Sequence, residues 1–352
     1  MEYLDLITDP LEKINEKNIL YLNLFNHPSM VFGTNSDDVV DFSKYPESIQ
    51  GEISQQYPEI KEILQENNTS TSGCRIRFKT NLKRIVFKVK LRKAVANENM
   101  VMANSSGFAV YLVDKYGNYK FNRMIIPPYG VKCFAEQIMV PMNSSLCIFL
   151  PNFDTVEEMY IGFLRKAKVS SFNYPRNNRL PIIFYGSGIA QGASAAKSAN
   201  SYPNIVSRRL NHDIINLSVD ACSKATPKTA EMIGNIDCDA VVIDYSSDAT
   251  NKKEFEENYS KFYRKIREYH PDKKIILLTS AIFNDSRKYD GFDEIIQKTY
   301  EHALSNGEKT YLINQKELFD QEDYDLISFN INHLTDYAMF NIAEKICELL
   351  HS

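Results

Sequence analysis

The sequence has little that would place the protein at a membrane or on nucleic acid. No apolar run approaches the length that crosses a bilayer, so no membrane partner is expected. The net charge is only −4 and no basic stripe is present, which argues against a nucleic-acid partner. The residues up to Pro10 contain neither the basic region nor the apolar region of a signal peptide, so we expect none.

Cysteines are few and are not paired in sequence. None of the six forms a C-x-x-C motif, so neither a zinc knuckle nor a redox pair is predicted, and we expect no metal or other cofactor. Scattered thiols of this kind are typical of small buried side chains in a reducing compartment, which favours a cytoplasmic protein. The six positions are Cys74, Cys133, Cys147, Cys222, Cys238 and Cys347.

Period-two alternation dominates the first half of the chain. The length of 352 residues is enough for two domains, and 43% of the residues are hydrophobic. Residues 9–17 could form a short helix with Pro10 at its first turn. In residues 74–80 and 84–92 every second side chain is apolar, which predicts half-buried antiparallel strands whose basic residues face solvent. Further short strands and turns predict an all-β sandwich over residues 1–168.

The second half alternates between apolar runs and amphipathic segments. A polar, proline-containing linker at residues 169–180 separates it from the sandwich. The alternation predicts a doubly wound parallel sheet of about five strands over residues 181–352, and therefore an α/β fold. The helix predicted for residues 254–269 carries an aromatic stripe that we expect in the core rather than at a cofactor. The stripe consists of Phe255, Tyr259, Phe262, Tyr263 and Ile266.

Residues 181–192 read as a buried strand, a Gly-Ser-Gly turn and the approach to a helix. Ligands of open α/β sheets bind at the carboxyl ends of the strands, so a site is expected at residues 186–192. Taken alone, such a turn is a weak signal, because its glycines could serve only to reverse the chain.

The wider pattern resembles the SGNH (GDSL) hydrolases, and within them the two-domain group with a β-sandwich in front. That group carries Tyr-Gly-(Ser/Thr)-Ser-Ile-Thr-Gln-Gly after a strand, and residues 185–192 here read Tyr-Gly-Ser-Gly-Ile-Ala-Gln-Gly. Further matches are residues 200–210, 214–217 and 240–245, and His333. The resemblance implies a flavodoxin-like three-layer domain behind a jelly-roll-like sandwich, and acyl transfer from acylated carbohydrates or related esters.

The resemblance also shows where the family's catalytic groups should lie. The nucleophilic Ser of the motif falls on Gly188, and Ser187 occupies the preceding position. The histidine is retained as His333, but the aspartate three residues before it, which orients the imidazole, is Asn330. Such an Asn can hydrogen-bond the ring but cannot stabilise its cation, and we expect it to favour the wrong tautomer.

The positions of the oxyanion hole have changed too. They fall on Gly188, on Ala221 in place of a glycine, and on Asp248 in place of an asparagine. An ionised Asp accepts hydrogen bonds and repels an oxyanion, and Asp220 adds further negative charge nearby. The sequence therefore predicts a degenerate family member that lacks Ser-dependent esterase activity and retains a cleft for a carbohydrate or acyl ligand.

Two other interpretations remain open from the sequence. Hydrolysis could use displaced groups, either Ser187 or Cys222 as nucleophile or an Asp248–His333 pair acting on water. The simpler interpretation of that pair is an ion pair that fills the vacated site. Alternatively, the chain could be a structural subunit that assembles into a homo-oligomer through its sandwich, which the sequence neither supports nor excludes.

Overall fold

A computed structural model describes residues 19–35, 38, 40–96, 99–164, 167–280, 291–330 and 333–351, and the predicted helix at residues 9–17 lies outside these ranges. The first part contains two antiparallel sheets, as predicted, with strand orders β1-β9-β4-β7 and β10-β3-β8-β5-β6, and β2 beside β3. The strands are β1 (Ile19–Asn23), β2 (Val31–Phe32), β3 (Arg75–Thr80), β4 (Arg84–Leu91), β5 (Phe108–Val113), β6 (Tyr119–Ile125), β7 (Cys133–Met139), β8 (Ser144–Phe149), β9 (Val156–Leu164) and β10 (Val169–Ser171).

The alternation of β3 and β4 was interpreted correctly for the apolar residues and for Lys79 and Arg84, which are exposed, but wrongly for three other basic residues. Ile76 and Phe78 pack in the sandwich core, but Arg75 and Arg77 on the opposite face of β3 are fully buried as well. Lys88 of β4 is buried too. The outer face of β3 is therefore buried at Arg75 and Arg77, which the second half of the chain covers, and exposed at Lys79.

Two of the three helices that the structure describes in the first half pack on the other half of the molecule, and both lie between β2 and β3. The helices are α1 (Glu47–Gln56), α2 (Lys61–Asn67) and the single turn α3 (Met102–Ser105). Ile49, Ile53 and Leu64 lie in one apolar cluster with side chains of the parallel sheet such as Ile183. Part of the segment assigned to the sandwich thus contributes to the second core, and the domain division itself stays a prediction.

The second half forms a five-stranded parallel sheet with helices on both faces, as predicted. Its strand order is β12-β11-β13-β14-β15, with β11 between β12 and β13. The strands are β11 (Ile182–Gly186), β12 (Ile214–Asn216), β13 (Ala240–Asp244), β14 (Lys274–Leu278) and β15 (Thr310–Ile313). The helices are α4 (Gly188–Gln191), α5 (Tyr202–Leu210), α6 (Pro227–Asn235), α7 (Lys252–Tyr269), α8 (Phe292–Ser305), α9 (Tyr324–Ile327) and α10 (Asp336–His351), and a small hairpin joins β16 (Ser328–Asn330) to β17 (His333–Leu334).

Burial explains why these strands are almost wholly apolar. Side chains on both faces of β11 and β13 are covered by helices, so period-two alternation disappears. All five residues of the aromatic stripe on α7 are buried against this sheet, which confirms that the stripe belongs to the core. Within the described ranges, no helix has the length and apolar character needed to span a membrane.

The predicted linker is more ordered than its composition suggests. Residues 169–171 form β10, which pairs antiparallel with β3 of the sandwich. Tyr174 is buried beside Arg75, whose Nε donates to its hydroxyl oxygen at 2.5 Å. The linker therefore fixes the sandwich against the parallel sheet.

Candidate functional site

A cavity of about 430 Å³ opens at the carboxyl edge of the parallel sheet, next to the turn that follows β11. Its position agrees with the rule that ligands bind at this edge of an open α/β sheet. Most of its lining is polar or charged, with small apolar patches. The lining residues are Glu59, Ser187, Gly188, Ile189, Ala193, Asp220, Ala221, Lys224, Ser247, Asp248, Ala249, Thr250 and His333.

The place of the missing nucleophile is filled by a carboxylate. A Cβ atom built onto Gly188 would overlap Oδ1 of Asp220 and also approach its Cγ at 2.8 Å. The volume that a serine side chain would need is therefore occupied by Asp220, which the sequence marked only as a nearby negative charge. The overlap depends on two residues 32 positions apart, so no local pattern could have revealed it.

Asp220 is held in place through its backbone. Its N–H donates to Oε1 of Gln191 at 2.7 Å. The Nε2 of Gln191, a fully buried side chain, donates to the carbonyl oxygen of Asn152 at 2.9 Å and to Oγ of Ser70 at 3.3 Å. Burial raises the pKa of the Asp220 carboxyl, and the neighbouring His333 acts in the opposite direction.

The second oxyanion-hole position is already occupied by protein groups. Ala221 has a φ of +61°, a left-handed conformation that explains why a glycine suits this position. Its N–H lies close to the carboxylates of Asp220 and Asp248 and lowers the pKa of both. An oxyanion of a substrate at this N–H would lie beside two carboxylates, which would repel it.

Asp248 lies deep in the wall of the cavity, with 8% of its surface exposed. Its Oδ2 accepts a hydrogen bond from the N–H of Ser223 at 3.0 Å. Burial, and secondarily the charge of Asp220, raise the pKa of Asp248 well above its usual value. The Nζ of Lys224 bonds to the backbone oxygen of Asp248 rather than to its carboxylate.

His333 retains a partner at the position where the family has aspartate. Oδ1 of Asn330 lies 2.5 Å from Nδ1 of His333, and Nδ2 of Asn330 lies 3.4 Å from Oδ1 of Asn99. Because the amide presents its oxygen to the ring, Nδ1 carries the proton and Nε2 keeps its lone pair. The expectation of the wrong tautomer is therefore not supported by this geometry. Desolvation lowers the pKa of His333, and Asp220 partly offsets that effect.

The groups considered as substitutes are not arranged as a catalytic set. Among the described residues, no hydrogen bond or ion pair joins Asp248 to His333, and Asp220 is the carboxylate that acts on the imidazole. Oγ of Ser187 caps the short helix α4 by accepting from the N–H of Ile189 at 3.3 Å. Cys222 is buried outside the lining, and burial raises the pKa of its thiol to about 12. In the described ranges, no cluster of three or more His, Cys, Asp or Glu side chains suits a metal ion.

Comparison with known families identifies the family to which this fold belongs. Residues 179–351 match the GDSL-like lipase/acylhydrolase family, and residues 41–169 match the N-terminal domain of SGNH hydrolase-type esterases. The chain belongs to the SGNH (GDSL) hydrolase superfamily. It has the two-domain arrangement of the esterase-like SGNH group, with the antiparallel sheets in front of the α/β domain.

Solved structures show how far this SGNH fold extends along the chain. A protein of Bacteroides ovatus described as a GDSL-like lipase has a TM-score of 0.75 at 22% identity, covering 95% of this chain and 98% of its own. The salicylyl-acyltransferase SsfX3 of a tetracycline biosynthetic pathway gives 0.77 at 15% identity, covering 95% and 97%. A family two carbohydrate esterase from Clostridium thermocellum, solved with cellohexaose, gives 0.56 at 12% identity, covering 79% and 92%. No protein of curated function matches the sequence.

Proposed function

We propose that this SGNH family member does not hydrolyse esters through a serine and that its cleft binds a hydroxyl-rich ligand of the carbohydrate class. The observation that carries the proposal is the Asp220 carboxylate in the volume next to Gly188 where the nucleophile would stand. The two carboxylates beside the Ala221 N–H support it, because an anionic oxygen would be repelled where the family stabilises one, so both the nucleophile and the oxyanion site are altered.

The lining of the cavity supports a polar ligand rather than a long acyl chain. The apolar side chains of its lining are one isoleucine and three alanines, namely Ile189, Ala193, Ala221 and Ala249, which are too short to enclose a long alkyl chain. Carboxylate, imidazole and hydroxyl groups around them can hydrogen-bond several hydroxyls at once. A related fold, the esterase solved with cellohexaose, holds a carbohydrate, which makes this class the first to examine.

The test combines an activity assay with a binding assay on the full chain. We expect no turnover of p-nitrophenyl acetate that depends on His333, so wild type and His333→Ala should give equal background rates. Titration calorimetry with cellohexaose should show binding that His333→Ala weakens. Turnover abolished by His333→Ala would contradict the loss of catalysis, and absence of any heat with cellohexaose would contradict the proposed carbohydrate class.

The alternative is an active acyl hydrolase that uses displaced residues, either Ser187 or an Asp248–His333 pair. One observation favours it: His333 keeps the tautomer of a general base, with Nε2 able to accept a proton. The helix-capping role of Ser187 and the lack of a contact between Asp248 and His333 argue against both versions. Activity lost in Ser187→Ala, at unchanged thermal stability, would establish this alternative.

We also infer a reducing compartment such as the cytoplasm. All six cysteines are free thiols, and five of them are buried. Disulfides are rare where thiols are kept reduced, which supports the inference. Fractionation of the producing cells, followed by detection of the protein in the cytoplasmic fraction, tests it directly.

A further inference from the structure

We infer that the cleft distinguishes a free hydroxyl group from the same hydroxyl carrying an acyl ester, and that Asp220 makes the distinction in favour of the free hydroxyl. This inference rests on the proposed function, since it assumes that the cleft binds a carbohydrate-like ligand. It assigns to Asp220 a specificity role at the point where other family members attack the ester.

The first step of the argument is the chemistry of the groups that face the ligand at this point. The Asp220 carboxylate and the Nε2 of His333 are hydrogen-bond acceptors, and both belong to the cavity lining. The backbone N–H of Ala221, one of the donors that an ester carbonyl would need, lies beside the carboxylates of Asp220 and Asp248. A hydroxyl can donate to these acceptors, whereas an ester offers only oxygen lone pairs.

The second step is the space at the reaction point. In a serine hydrolase the ester carbonyl lies against the nucleophile, at the distance from which attack begins. Here that position is filled by an oxygen of Asp220, because it already overlaps the Cβ position of residue 188. An acyl group placed there would meet the carboxylate at close range and would be repelled, while a hydroxyl would form a short charge-assisted hydrogen bond.

The third step is that Asp220 cannot easily be displaced by the ligand. Its backbone is fixed by Gln191, which is itself bonded to the sandwich at Asn152. Gln191 is fully buried, so moving residue 220 would break buried hydrogen bonds. The carboxylate can rotate about its side-chain bonds, but its Cα stays beside the turn after β11.

Calorimetric titration of the full-length protein with two matched probes tests the inference. The probes are cellohexaose and cellohexaose that has been partially O-acetylated, with released acetate measured in parallel to exclude hydrolysis. We expect wild type to bind the unmodified probe about tenfold or more tightly, the effect of one hydrogen bond to a charged group. In Asp220→Ser, which replaces the carboxylate by a small hydroxyl side chain, we expect the preference to shrink to about threefold or less.

Controls separate this inference from the proposed function. Asp220→Asn preserves the shape and removes the charge, so it should lose most of the preference while keeping the thermal midpoint. Asp272→Asn removes an exposed carboxylate elsewhere and should keep the full preference. Equal binding of both probes by wild type, or a preference that survives in Asp220→Ser, overturns the inference and leaves the proposed function standing. Binding of neither probe overturns the proposed function and the inference with it.

Discussion

Two clusters of buried charged residues in this molecule differ in how fully their charges are compensated by neighbouring groups. At the junction of the sandwich and the parallel sheet, Arg75 donates to Tyr174, Gly73, Ile214 and Asp213. In the cleft, the charge of Asp220 raises the pKa of Asp248, and backbone N–H groups, Lys224 and His333 offset the burial of the two carboxylates only in part.

The difference separates a structural cluster from a functional one. At the junction Arg75 is paired with Asp213, and the guanidinium of Arg77 donates to the carbonyl oxygen of Phe172 and lies 3.7 Å from the centre of the Tyr174 ring. Such pairing is what a buried charge needs in order to remain in a folded core. The cleft does not meet this requirement, so folding alone does not account for two neighbouring carboxylates there. The predictions that follow test this contrast, from the largest effect to the smallest.

Restoring the SGNH catalytic groups should give the largest change. In the set Gly188→Ser, Asp220→Ser, Ala221→Gly, Asp248→Asn and Asn330→Asp, four changes restore the family's residues and Asp220→Ser removes the carboxylate beside the new nucleophile. We expect hydrolysis of p-nitrophenyl acetate about 10³-fold above the wild-type background, since the oxyanion donors and the imidazole's anionic partner each contribute at least a hundredfold. The same set with Asp220 retained should remain at least about 100-fold slower, because the carboxylate and the new serine compete for one volume. Equal rates would show that Asp220 does not block the site.

Removing the central cation of the junction should destabilise the fold strongly. Arg75→Met leaves Asp213 as a buried carboxylate without its partner, and the carbonyl oxygens of Gly73 and Ile214 without their donor. We expect a loss of about 3–5 kcal/mol in the free energy of unfolding, measured by urea denaturation. Lys79→Met on the same strand, where the side chain is exposed, should change it by less than about 0.5 kcal/mol. A small effect for Arg75→Met would show that the buried charges of the junction contribute no more to stability than exposed charges do.

The carboxyl of Asp244, at the end of β13, should make stability depend on pH. It is fully enclosed, accepts from the hydroxyl of Tyr202 at 2.9 Å, and burial raises its pKa to about 7. Between about pH 4 and pH 7 the native Asp244 carboxyl therefore keeps a proton that the unfolded chain has released. The contribution of this group to the free energy of unfolding is therefore largest at about pH 4 and below. It is lost as the pH rises towards 7, by a few kcal/mol in total.

Comparison of wild type with Asp244→Asn isolates this effect from other titrating groups. We expect the difference in the free energy of unfolding between the two proteins to change steadily from pH 4.5 to 7.5, in favour of the variant at the higher pH. The measurement is urea denaturation at each pH, with Asp272→Asn as an exposed carboxylate control. A constant difference across this range would contradict the raised pKa of Asp244.

Neutralising one carboxylate of the cleft should stabilise the protein slightly. Asp248→Asn removes a buried charge beside Asp220, while its amide oxygen can still accept from the N–H of Ser223. We expect a gain of about 1 kcal/mol at pH 8, and a gain that becomes smaller as the pH falls and the native carboxyl takes up a proton. This is the opposite sign from Arg75→Met. A clear loss of stability would mean that the cleft charges are satisfied like those of the junction.

The sequence predicted most elements of the fold because their signals are local. Apolar runs and helical stripes predicted all five parallel strands and the main helices to within a few residues, while β7 at Cys133–Met139 was not predicted. The burial of Arg75 and Arg77 could not be predicted, since a strand covered on one face by another domain has the same alternation as one that faces water. The packing of α1 and α2 on the second core is likewise a long-range contact.

The candidate site likewise has one part that the sequence predicted and another part that depends on long-range contacts. The positions of Gly188, Ala221, Asp248, Asn330 and His333 followed from motifs, and the structure brings four of them, all but Asn330, into one cavity lining. The role of Asp220 followed from no motif, because it requires a missing side chain on one loop and a carboxylate on another. The amide orientation of Asn330 also depends on a distant residue, Asn99.

Gln191 couples the geometry of the cleft in the α/β domain to the N-terminal sandwich. Its two amide atoms join the main chain of Asp220 to that of Asn152, which lies between two strands of the sandwich. An isolated α/β half, expressed from residue 179 onward, would lose this tether along with Ser70. Its cleft would keep every side chain of the lining except Glu59. The loop that carries Asp220, however, would no longer be held in its position beside the turn after β11. The sandwich thus fixes the position of Asp220 in the cavity, although it contributes almost none of the residues that line this cavity.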